Sequence, residues 1–194
     1  MRGCRYIGWL TTISLIIALA VLGSGSRGRE LIDVTLIQTL GVDGHGPVTL
    51  TAVAPADEEN PPQWHHTQGA DLAQARKGLK ELGDTRLEVT HVAQLVLGPD
   101  AKVEEILWEE LGDRASGCDA RVWLTDGESA EELLDNIYEP CKRLKSIEEN
   151  GSTKPPTLLE ALSALTREGQ VTLPVLSREG DELKVTGTQV IKEG

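Results

Sequence analysis

Four histidines, three cysteines and several close acid pairs are the residues of this chain that could ligate a metal, exchange thiols or carry protons. His65-His66 is the one adjacent histidine pair. Neighbouring residues point apart unless a turn gathers them, and no Cys or acid stands three or four places away on an established helix. A metal centre needs three or four ligands, so none is expected. His91 lies in a β-rich run and reads as a hydrogen-bonded structural histidine. Cys118 and Cys141 would meet an oxidising compartment if the chain is exported. There they can close a disulfide, contributing about 3 kcal/mol for a loop of this length, or remain two buried thiols. The acid pairs Glu104-Glu105 and Glu109-Glu110 read as solvated helix faces. Asn150-Gly151-Ser152 fits a glycosylation acceptor, and Asn-Gly is also a plain turn signal. No nucleophile elbow, phosphate-binding glycine loop, zincin helix or two-cysteine redox motif is present, so no catalytic or cofactor-binding residue is expected.

The elements that must position these groups begin with Arg29–Asp43. Leu31, Ile32, Val34, Leu36, Ile37 and Leu40 fill both phases of a two-residue period, as in a strand buried on both faces. Asp43-Gly44 leads into Val48–Ala54, so Leu31–Ala54 is predicted to be a β-hairpin inside the sheet. Pro55–Thr67 has turn formers and no period and reads as a loop. Four helices follow, with start signals at Asp71, Asp100, Ser129 and Thr157 and with Gly83, Gly112 and Gly169 ending three of them. Pro140 must kink or end the helix that starts at Ser129. Leu87–Leu97, Ala120–Thr125, Val171–Leu176 and Leu183–Ile191 read as strands, and Glu148–Pro156 as an exposed linker. The expected fold is α+β: a mixed sheet of about six strands with about four helices packed against it, preceded by an N-terminal hydrophobic helix.

That leading helix is Tyr6–Gly23, eighteen residues without a charge, behind Arg2 and Arg5. As a helix it spans about 27 Å, close to a bilayer's hydrocarbon core. Residues 1–28 therefore read as a signal peptide or an uncleaved signal anchor. The first 29 residues carry four arginines and no acid, so with a net charge of −12 overall the remainder holds −16. Such a domain repels nucleic acid and anionic headgroups. With no Phe and 3% aromatic residues it also lacks a base-stacking surface.

Several short motifs recur in one order. Arg29-Glu30-Leu31 and Gly41-Val42-Asp43 look like an opening strand, and Arg86-Leu87 with His91 follows. Asp119-Ala120-Arg121-Val122 runs on to Gly127. Then come Thr157-Leu158-Leu159-Glu160, Leu173-Pro174-Val175 and Gly187–Lys192. Together they resemble the first domain of the C-subunit lipoproteins of nutrient germinant receptors in endospore-forming bacteria, across residues 29–194. Two departures stand out. The family's lipid-accepting cysteine and following Trp-Asp are replaced by Ser24-Gly25-Ser26-Arg27-Gly28, and the family continues into two further domains beyond the point where this sequence ends.

The resemblance implies a non-enzymatic accessory subunit acting in spore germination, on the outer face of the inner spore membrane, assembled with integral-membrane A- and B-type receptor subunits. Two alternatives stand beside it. One is an extracytoplasmic small-molecule binding or hydrolytic domain, which would need a pocket where groups such as His91, Trp123 and Asp126 converge. The other is a decayed paralogue.

Overall fold

The computed structural model describes residues 34–58, 60–82, 86–112, 116–151 and 153–193. The expected leader helix and the start of the opening strand lie outside them. Among the described residues no helix is long and apolar enough to cross a membrane.

Nine strands and five helices are described. The strands are β1 (Val34–Leu36), β2 (Thr39–Gly44), β3 (Val48–Ala54), β4 (Gln63–Gly69), β5 (Arg86–Glu88), β6 (Val92–Leu97), β7 (Ser116–Thr125), β8 (Gln170–Glu179) and β9 (Glu182–Lys192). The helices are α1 (Leu72–Lys80), α2 (Val103–Gly112), α3 (Ala130–Asp135), α4 (Pro140–Asn150) and α5 (Leu158–Glu168). Seven strands form one mixed sheet in the order β4-β3-β2-β6-β7-β8-β9. Its centre is parallel, because β6, β7 and β8 are joined by helical crossovers, and the two ends are antiparallel hairpins. The hairpin β2–β3 lies inside the sheet, but the expected opening strand divides before it: Val34–Leu36 is β1 in a separate two-stranded sheet, with Val34 and Leu36 about half exposed, and only Thr39–Gly44 runs buried beside β3 and β6.

Alternation along the strands feeds two apolar layers. Leu40, Val42, Leu50, Ala52, Leu95, Leu97, Val122 and Leu124 point to one face, where α1, α2 and α5 lay down Leu72, Leu79, Ile106, Leu107, Leu158 and Leu162. Val53, Val96 and Trp123 point to the other, covered by Leu133 and Leu134 of α3, Leu144 of α4 and Ile137 of the turn between them. The result is a sheet sandwiched between helical layers.

Several elements differ from expectation. Within Pro55–Thr67, the residues from Gln63 onward are not loop but edge strand β4, in register with β3 from Val48↔Gly69 to Ala54↔Gln63. Apart from Trp64 its side chains are polar, and His66 and Gln68 are exposed, so backbone pairing rather than an apolar period defines it. Leu87–Leu97 is two strands, broken at a turn through Thr90 and His91, and β5 leaves to pair in parallel with β1 in a separate two-stranded sheet. The helix that starts at Ser129 ends at Asp135, ahead of Pro140, and Pro140 then opens α4 at the first position, where its missing N–H would have no partner anyway. Glu139, at φ 53°, makes the corner between α3 and α4. Glu148–Pro156 is not a free linker, since α4 runs to Asn150 and Glu148 accepts hydrogen bonds from Arg121 Nε (2.7 Å) and Gln94 Nε2 (3.3 Å).

Candidate functional site

Among the described residues, three ligand-type side chains meet where the edge strand β4 faces α3. In the antiparallel register His66 stands directly across from Thr51 and Trp64 across from Val53, so both rings share the face covered by α3. Trp64 Nε1 donates to the Leu134 carbonyl at 3.2 Å and ties strand to helix. On α3, Glu131 and Asp135 are four residues apart and so occupy one side of the helix a turn apart. His66 sits between them. Its Nδ1 is 3.5 Å from Glu131 Oε1, and its Nε2 is 3.5 Å from Asp135 Oδ1. Nδ1 also lies 3.4 Å from Oγ1 of the fully buried Thr51. The three side chains are about 40% exposed, open to solvent on one side.

The backbone beneath these ligands is fixed from below. Asp43, at the end of β2, accepts the N–H groups of Ala130 (2.7 Å) and Glu131 (2.9 Å), while Ser129 Oγ accepts that of Glu132 (3.0 Å). The first three donors of α3, which a helix leaves unpaired, are thereby satisfied, two of them by a carboxylate from another element. Burial pushes the Asp43 carboxyl above its ordinary range, outweighing the two N–H donors. Gly41 lets α3 approach closely: a Cβ there would lie 2.8 Å from Leu134 Cδ1.

His65, the other half of the pair, is turned to the opposite face, across from Ala52. Its Nε2 is buried without a hydrogen-bond partner, and desolvation, then the neighbouring His66, hold its pKa below the usual value. Adjacent histidines do diverge on a strand. The ligands that join His66 instead come from 65 and 69 residues further along the chain, a distance that local spacing cannot reveal.

The other singled-out residues fall elsewhere. Cys118 and Cys141 are both free thiols, the first exposed and the second buried. Cys141 Sγ accepts from Thr39 Oγ1 at 3.2 Å, above β2 and β3, whereas Cys118 is on β7. The intervening strand spacings alone amount to about 10 Å, beyond the roughly 7 Å that a disulfide tolerates between Cα atoms. His91 is not hydrogen-bonded within a strand but exposed in the turn before β6. Trp123 is fully buried and donates to Gln94 Oε1 at 2.6 Å. Asp126 lies exposed past the end of β7, about 26 Å along the strands from His91, so these three do not converge. Glu109 is exposed, but Glu110 is fully buried in an ion pair with Arg76 between α2 and α1. That pair had a signal: Val103, Ile106, Leu107 and Glu110 form the i, i+3, i+4, i+7 stripe of α2, as Leu72, Ala75, Arg76 and Leu79 do in α1. Beside it a surface cavity of about 490 Å³ is lined by Ala73, Arg76, Lys77, Lys80, Glu109 and Gly112.

Three residues of the motifs that carry the resemblance meet where β7 passes the start of α5. Arg121 bridges to Thr157 in the backbone, donates from Nη1 to the Pro155 carbonyl (3.3 Å) and places Nη1 3.7 Å from Glu160 Oε2. Thr157 and Glu160 close a reciprocal capping box at the start of α5. No family model, no curated protein and no solved structure matches this chain.

Proposed function

We propose that this chain is a non-enzymatic accessory subunit that recognises other proteins at the outer face of a membrane, of the kind found in germinant receptors, with Tyr6–Gly23 as its anchor. The observation that carries this reading is the junction of Arg121, Thr157 and Glu160. Residues drawn from two separate motifs of the resemblance contact one another, and a third motif, Gly41-Val42-Asp43, seats and caps α3. Half-exposed Trp108 on α2 and Leu159 on α5, from helices on the same side of the sheet, offer apolar anchors of the type that protein interfaces use. The separation of His91, Trp123 and Asp126 weighs against the pocket that the small-molecule alternative requires.

The test is affinity purification of the tagged full chain from detergent-solubilised membranes of sporulating cells. Multi-pass subunits of A and B type are expected to co-purify. Recovery of no membrane protein above a control anchored by the same leader would sink the reading.

A further inference from the structure

We propose that His66, Glu131 and Asp135 form a surface site for one divalent transition-metal ion, Zn²⁺ by preference, that staples edge strand β4 to helix α3. The site is independent of the proposed subunit role.

Geometry is the first support. Bonds of about 2.0–2.2 Å place neighbouring donors of a tetrahedral zinc about 3.4 Å apart. On the nitrogen that can face both carboxylates, Nε2, the separation from Asp135 Oδ1 is 3.5 Å, and one donor atom from each of the three residues lies within 4.8 Å of the others. Rotation of the exposed carboxylates closes the remaining gap, whereas the strand and helix beneath are already held by Trp64 on Leu134 and by Asp43 on the first turn of α3. Only side chains need to move.

The ring's surroundings select which nitrogen binds. An imidazole gives one nitrogen to a given ion and is oriented by the hydrogen bond of the other. Thr51 Oγ1, immobile in the core, is within reach of Nδ1, so Nδ1–H donates to it and Nε2, the nitrogen facing Asp135, takes the metal. Glu131 swings from the Nδ1 side to supply the third ligand.

Charge is the second, separate support. Glu131 and Asp135 are a like-charged pair one turn apart, which destabilises a helix when uncompensated. Glu132 follows Glu131 and Asp43 lies behind it, so a divalent cation neutralises what the protein gathers there. One imidazole with two carboxylates is a mixed nitrogen and oxygen set. It suits Zn²⁺ and, less tightly, Mn²⁺, and it disfavours Mg²⁺ and Ca²⁺, which take oxygen ligands alone.

The experiment is calorimetric titration of Zn²⁺, Mn²⁺ and Mg²⁺ into the chelator-treated full chain in detergent, with the accessible thiols alkylated under native conditions so that exposed cysteine cannot bind zinc. One Zn²⁺ per chain is expected with a Kd below about 10 µM, with weaker Mn²⁺ binding and no Mg²⁺ binding. His66→Gln and Asp135→Asn each remove a direct ligand and are expected to weaken zinc by at least the roughly 10- to 100-fold that loss of an outer-shell partner costs, while His65→Gln leaves it unchanged. All three substituted side chains are at least partly exposed, and equal melting temperatures without metal check that folding is intact. Zinc should raise the melting temperature of the wild type and of His65→Gln only. Absence of one-to-one binding, or equal affinity in His66→Gln and the wild type, would overturn the site, as would loss in His65→Gln alone.

Discussion

Cys118 and Cys141 carry the same thiol into opposite surroundings, and reactivity follows exposure and thiolate content. Burial pushes the Cys141 thiol up, whereas Cys118 is exposed. Peptide mapping after brief iodoacetamide treatment should therefore find Cys118 labelled in the native protein and Cys141 labelled only after denaturation. Reducing and non-reducing gels should show one mobility for the monomer; a faster non-reduced band would mean that the two sulfurs can meet. Glu160 makes a second residue-scale case. The Thr157 backbone N–H holds its carboxyl below the ordinary 4.5. A depressed folded pKa gives stability that is complete above the unfolded value and is lost as pH falls through the folded one. Wild type should thus exceed Glu160→Gln in denaturant midpoint near neutral pH, and the gap should close below pH 4.5. A gap that widens toward acid would contradict the capping assignment. Both of these features were partly legible in the residues alone. The Thr-x-x-Glu capping box could be read from four letters, but whether a thiol is buried depends on which helix lands on it.

At the scale of elements, the helices are joined to the sheet by a few polar contacts made across long sequence separations. Asp43 satisfies two donors of α3 from 87 and 88 residues away. Asp43→Ala would remove the cap and leave partly buried N–H groups unpaired, costing about 2–4 kcal/mol in denaturant unfolding. Gly98→Ala should imitate it, because a Cβ there falls 1.8 Å from Asp43 Oδ1. Values within experimental error of wild type would show that α3 is capped otherwise. The buried pair between α1 and α2 follows a different rule. Breaking it with Arg76→Ala or Glu110→Ala strands a charge and should cost about 3–5 kcal/mol. Replacing both with leucine should cost much less, since the desolvation penalty disappears with the charges. A double variant as unstable as the sum of the two singles would refute that account. The elements most easily read were those with strong periods and caps: the β2–β3 hairpin, α1, α2, α5 and the closing pair β8–β9. The missed ones had physical reasons. β4 has polar side chains on a sheet edge, β5 is three residues long, and α4 begins with a proline that reads equally as an ending.

For the molecule as a whole, the sheet-and-helix class was readable because apolar residues declare their period locally, while the cluster around His66 was not, because two distant segments must first be folded together. The charge distribution makes a prediction at the same scale. Beyond residue 29 the chain carries −16, and two like-signed surfaces repel, so this part should not hold itself on an anionic bilayer. On the proposed function, attachment would rest on Tyr6–Gly23, which as a helix would cover about 27 Å of hydrocarbon. Alkaline carbonate strips proteins held by charge and leaves those held by an apolar span, so the full chain should stay in the washed membrane pellet. Deleting residues 6–23 should release it, and added salt should change neither result, because screening acts on the repelling domain and not on the apolar run. Recovery of the protein in the wash with a new N-terminus near Val21 or Ser26 would show instead that the leader is a cleaved signal. Any remaining hold on the membrane would then have to come from a partner protein.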